Sequence, residues 1–313
     1  MFEVPNLFID RNDHLRAGWR FFIAGILYKV VTYLASVAAS ALAPGGGNRS
    51  ELVFRGLSLL LLVLGYAGLS VVADHNSRPL TYVGLSFGQR QIKEVVFGLG
   101  FGAAQIGMCV AGIALAGALT LDIRLRSGMV RLVVVQLVIL AVAAMLEEVV
   151  FRGYPFQRLA EAVGAIPAIL ILAALFGAGH LNNPSANLFG ILNTMLIGVL
   201  FCIAYLRTRS LWLSWAIHFS WNLTLGVVFG LPVSGLTQFA VVVRGRAEGP
   251  TWLTGGSYGI EAAATATVAI VLGILVLFLI KAPTMEVPAI EVPDVRSAGQ
   301  GSDEEVPRAK LEP

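Results

Sequence analysis

Charge is what this 313-residue sequence has least of: Asp, Glu, Lys and Arg make up 13% of it, while 57% is hydrophobic. A soluble domain carries about a quarter charged residues, and the mean hydropathy here is +0.78. That imbalance excludes an ordinary soluble fold and places lipid around most of the chain. The net charge of +3 is scattered, with no basic cluster and no interleaving of basic and aromatic residues, so nucleic acid is excluded as a partner. Only two cysteines occur, Cys109 and Cys202, both inside apolar runs. They read as buried thiols and carry no compartment signal. No internal repeat marks a solenoid or array.

What the sequence does have is long apolar runs. With roughly 20 such residues needed to span a bilayer, eight spans are predicted, at about 21–43, 52–73, 94–120, 131–152, 164–182, 186–206, 210–231 and 259–280. Ala41-Leu42-Ala43 resembles a signal-peptidase site. The preceding run is too long for a signal peptide and is interrupted by Lys29, so it is expected to remain as the first membrane helix. Val243 to Ser257, rich in Gly and charge, reads as a loop, and the Pro-rich tail after Lys281 reads as disordered. The expected organisation is N-terminal helices over 1–130, a core over 131–231, a loop and last helix over 232–282, and a tail over 283–313. Lys and Arg near the span ends favour cytoplasmic N- and C-termini.

Against this background a few polar residues stand out. "EEVVFR" places Glu147, Glu148 and Arg152 in the fourth span, "FGAGH" ends the fifth at His180, and "HFSWN" puts His218 and Asn222 in the seventh. A charge at the centre of a membrane helix costs about 2.5–3.5 kcal/mol, so such groups face a polar interior or sit at an interface. Glu148 and Arg152, four residues apart, can pair on one face; Glu147 is rotated about 100° away and has no partner on its own helix. If the fourth helix runs on to a turn near Gly164, with Arg152 and Arg158 at a tip beyond the lipid, Glu147 and His180 come level, roughly 10–15 Å deep. His14 and His75 lie in polar flanks and read as surface residues. Carboxylate, imidazole and amide are together the inventory for hydrolysis: a base for water and donors for an oxyanion.

In this order and spacing, the motifs EExxxR, FxxxH and HxxxN resemble the CPBP (CAAX protease and bacteriocin-processing, or Abi) family, which includes the type II CAAX prenyl endopeptidases. The resemblance covers about 137–225. It implies an all-α polytopic fold of about eight transmembrane helices around a polar cavity open to the cytosol. It also implies an intramembrane endopeptidase in which Glu147 and His180 activate water. His218 and Asn222 would stabilise the oxyanion, with Glu148 and Arg152 in support. The expected partners are a peptide or lipidated protein substrate and the bilayer. No cofactor is favoured; zinc on Glu147, His180 and His218 is the alternative, although the chain has no HExxH helix. Two other readings compete. One is a membrane immunity or binding protein using the same residues; the other is a transporter, which the lack of repeated halves disfavours.

Overall fold

The computed structural model describes residues 7–9, 15–123, 128–239 and 243–280; His14 and the tail expected to be disordered lie outside them. Its helices are α1 (Ala17–Leu42), α2 (Gly47–Asp74), the short α3 (Pro79–Tyr82), α4 (Gln89–Leu115), α5 (Met129–Arg152) and α6 (Tyr154–Val163). They continue with α7 (Ala165–Ala178), α8 (Leu188–Thr208), α9 (Leu211–Leu223), the short α10 (Thr251–Thr254) and α11 (Ala264–Leu279). Each of the eight predicted stretches therefore contains a helix. Among the described residues α1, α2, α4, the α5–α6 run and α8 are long and apolar enough to cross a membrane, and α7 and α11 are apolar but shorter. Phe22, Ile26 and Tyr33 on α1, Ile166 and Leu170 on α7 and Phe278 on α11 point outward. So much exposed apolar surface suits lipid, not water. The chain is an all-α polytopic membrane protein.

Four local expectations change. The third span stops at Leu115, and Leu119–Ile123 forms a strand, β1, instead. The segment read as a loop supplies its partner, β2 (Val243–Ala247), paired antiparallel with β1. The seventh helix ends at Leu223 and passes into a π turn over Thr224–Val228. The fourth helix is not continuous to Gly164. It breaks at Gly153, where a Cβ would come within 2.5 Å of the Val149 carbonyl oxygen, and Pro155 then opens α6 in a new direction.

Small residues set the closest approach. On α4, Gly98 and Gly102 lie against α9, where an added Cβ would meet Ala216 Cβ at 2.7 Å and Ile217 O at 2.5 Å respectively. This is the small-xxx-small packing of membrane helices. Around it Ile106, Ile113, Leu200, Ile217 and Leu225 form a fully buried core. A second core joins α1, α2 and α6 through Ala24, Leu62, Tyr66, Tyr154 and Phe156.

The ends of the bundle are chemically different. At the end holding the start of α1 and the end of α11, Arg20 pairs with Asp74 and with Glu161 (2.8 Å). Arg158 pairs there with the same Asp74 (2.9 Å) and with Glu161 (2.7 Å). Arg158 is thus buried in an ion network rather than standing at an exposed tip. Burial pushes the Tyr82 phenol, which accepts from Arg158, up to about 12. The opposite end carries the α1–α2 turn, the 179–187 loop, the segment 229–239 and the β ribbon. There Gln136 donates to Asn48 (3.3 Å) and Asn183 to the Ser234 carbonyl (3.0 Å).

Candidate functional site

The polar residues that the sequence singled out converge on one cavity of about 460 Å³, to which Glu147, His180, His218 and Asn222 all contribute walls. Its floor is aromatic, made by Phe151, Phe176 and Phe201, and its mouth lies among Asn48, Asn183 and Gln238 at the end of the bundle opposite Arg20 and Arg158. A cavity of this size is in the range of small-ligand sites. It admits a few residues of extended chain rather than a folded domain.

Below the floor Glu148 and Arg152 are both fully buried and pair at 3.3 Å. The second guanidinium nitrogen donates to the Gly198 carbonyl (3.1 Å), half-way along α8. Arg152 therefore sits deep in the protein, not beyond the lipid as the length argument required. Its guanidinium lies 4.6 Å and 5.1 Å from the ring centres of Phe176 and Phe201. Aromatic faces offset the loss of hydration of a buried cation.

His218 is held from two sides. Its Nδ1 lies 2.9 Å from Glu148 Oε1, and Phe201 stacks on the ring at 4.8 Å. A carboxylate shared with Arg152 accepts, so we assign the hydrogen to Nδ1. A neutral ring then presents a lone pair at Nε2. That atom is 3.7 Å from Glu147 Oε2, too far for a hydrogen bond but close enough for one water to touch both. Glu147 Oε2 is buried and has no hydrogen-bond partner among the described residues, the condition expected of a group that meets water or substrate. Glu147 thus has no hydrogen-bond partner for this oxygen on its own helix, as its spacing predicted, and the imidazole it meets at 3.7 Å is that of His218.

His180 follows the end of α7. Its Nδ1 is 2.8 Å from the Phe176 carbonyl, which can only accept, so Nδ1 again carries the hydrogen and Nε2 the lone pair. Asn222 is one turn beyond His218 and shares its cavity wall. Among the described residues no group of three or more His, Cys, Asp and Glu side chains is arranged to hold a metal ion. Nδ1 of each histidine is engaged by a carboxylate or a carbonyl, which leaves the Nε2 lone pair of each ring. No step is derived through a metal.

Sequence reasoning missed one further acid. Glu261 reaches the cavity wall from the segment before α11, accepting from Trp221 Nε1 (3.0 Å), from Ser234 Oγ (2.9 Å) and from the Ser234 amide. The signal was a carboxylate inside the eighth predicted span, the same kind of oddity that exposed Glu147.

The mouth's position also bears on topology. The start of α1 and the end of α11 lie at the other end of the bundle.

No curated protein and no solved structure gives a significant match to this chain. Residues 128–224, which run from α5 to the start of the π turn and contain all three motifs, match the family model described as type II CAAX prenyl endopeptidase Rce1-like. It is through this segment that the chain is similar to the Rce1-like family of type II CAAX prenyl endopeptidases.

Proposed function

We propose that the cavity hydrolyses a peptide bond with Glu147 as general base. The observation that carries the reading is Glu147 Oε2, buried, unbonded and 3.7 Å from His218 Nε2 at the wall of an open cavity. Water beside Glu147 loses a proton to it, with the His180 Nε2 lone pair as the second acceptor that orients the water. The hydroxide oxygen bonds to the scissile carbonyl carbon, and Asn222 and His218 face the oxyanion that forms. The proton taken by Glu147 passes to His218 Nε2, 3.7 Å away, so that the ring carries two protons and donates to the oxyanion. That proton then goes to the amine nitrogen as the C–N bond breaks. Glu148 and Arg152 hold His218 in orientation and touch no reacting atom.

The substrate we propose is a peptide or lipidated protein segment, extended across the cavity, with no metal in the step. With the termini cytoplasmic, as the Lys and Arg bias favours, the mouth faces away from the cytoplasm. The cytosol-open cavity implied by the resemblance requires the reverse. The test of function is cleavage of a quenched farnesylated CAAX reporter and of its unprenylated form by purified protein in lipid nanodiscs. Glu147→Gln is expected to lower kcat by about 10²–10⁴-fold, the usual worth of a general base, with the thermal midpoint unchanged. Exhaustive chelation is expected to leave activity intact, and activity restored only by Zn²⁺ would reject the metal-free step. Full activity in Glu147→Gln would reject the base, and a phenotype that survives without cleavage would return the protein to a binding role.

A further inference from the structure

The family-matched segment ends at residue 224, yet the cavity does not end there. Its outer wall is completed by the segment 233–239 and by Glu261. Glu261 is the point at which these parts meet. One carboxylate oxygen takes the indole N–H of Trp221 at 3.0 Å; the other takes both the amide and the hydroxyl of Ser234. Trp221 is almost wholly buried and stands between His218 and Asn222 on α9. The Ser234 carbonyl in turn accepts from Asn183, in the loop that follows His180. The backbone of Glu261 is itself fixed, because Asn193 on α8 donates to its carbonyl at 2.8 Å.

We propose that Glu261 is a positioning residue for the reaction: it holds the cavity face of α9 through Trp221 and the outer wall through Ser234. This inference rests on the hydrolase reading. The physical need is local. Just beyond Asn222 the α-helix gives way to the π turn of Thr224–Val228, so regular helical bonding does not continue to fix the end of α9, and a lateral bond one residue before Asn222 does. Such turns recur at functional sites. A carboxylate suits the task because it accepts on both oxygens. A glutamine in its place can still accept from Trp221, but its amide nitrogen then faces the Ser234 N–H, donor against donor.

The experiment compares wild type, Glu261→Gln and Trp221→Phe in nanodiscs, with steady-state cleavage of the farnesylated reporter and hydrogen exchange over 231–239. Glu261→Gln is expected to free 231–239 to exchange. It should also lower kcat by about tenfold or more, the scale of a sub-ångström misplacement, while KM stays within about threefold. Trp221→Phe keeps the acid and its bonds to Ser234, so it should lower kcat while exchange over 231–239 stays slow; this split is one that loss of stability does not give. Wild-type kcat in both variants overturns the proposal. If Glu261→Gln fails to fold, the kcat of Trp221→Phe decides. If wild type cleaves neither reporter, the hydrolase reading fails on its own. The exchange arm then tests the anchor alone, and slow exchange in Glu261→Gln overturns it.

Discussion

Replacing Arg152 with Met isolates what the buried pair contributes. The pair is fully buried at 3.3 Å, and Arg152 also satisfies the Gly198 carbonyl. Methionine fills much of the same volume but leaves the Glu148 charge without its buried cation. Removing one partner of a buried pair costs about 3–5 kcal/mol. The share owed to the stranded charge is bounded by simple neutralisation, since protonating a carboxylate of ordinary pKa near 4.3 at pH 7 costs about 3.7 kcal/mol. The expected loss is therefore about 3–4 kcal/mol. The second change, Glu148→Gln, removes the stranded charge. The double variant should recover about half of the loss or more, because neutral replacements of buried ion pairs are often close to neutral in stability. The assay is equilibrium unfolding in mixed micelles, run as a double-mutant cycle. A single-variant loss below about 1 kcal/mol, or a double variant no more stable than Arg152→Met, would refute the account of Arg152 as a buried counter-ion.

Three further outcomes follow from the same coordinates. Gly102→Val should separate α4 from α9 and cost about 1–3 kcal/mol, the usual cost of overpacking; an unchanged midpoint would mean that the close approach carries no energy. The single variants Ser185→Cys and Arg209→Cys should label from opposite sides of a sealed vesicle with an impermeant maleimide. Labelling from the same side would overturn the placement of the mouth, and the side from which Ser185→Cys reacts fixes which expectation about the cytosol survives. Asp74→Ala removes the acid shared by Arg20 and Arg158, leaving partly exposed Glu161 as their remaining counter-ion. A loss of about 2–4 kcal/mol by thermal unfolding in detergent is expected, and a neutral effect would show that Glu161 suffices.

The sequence was most legible where lipid makes a residue anomalous. Glu147, Glu148, Arg152, His180, His218 and Asn222 stood out because their neighbours are apolar, and the structure gathers them in and beneath one cavity. Helix positions were legible from run length for the same reason. What escaped was set by three-dimensional packing. The break at Gly153 depends on the direction α6 must take to reach α1, and no periodicity reports it. Strand β1 was hidden because "LTLDI" continues an apolar run, and its partner β2 because Arg and Gly in "VRGRA" resemble a loop. The rotation of His218 toward Glu148 rather than along its own helix toward Asn222 is a contact across helices. Spacing along one helix cannot reveal it.

The ion network at the closed end also bears on biogenesis. Arg20 and Asp74 belong to the first helical hairpin, whereas Arg158 and Glu161 belong to α6, emerging from the ribosome more than eighty residues later. Each half carries its own counter-ion, so neither enters the bilayer with a bare charge while it waits for the other. Docking of the halves exchanges partners among four groups that are already neutralised in pairs.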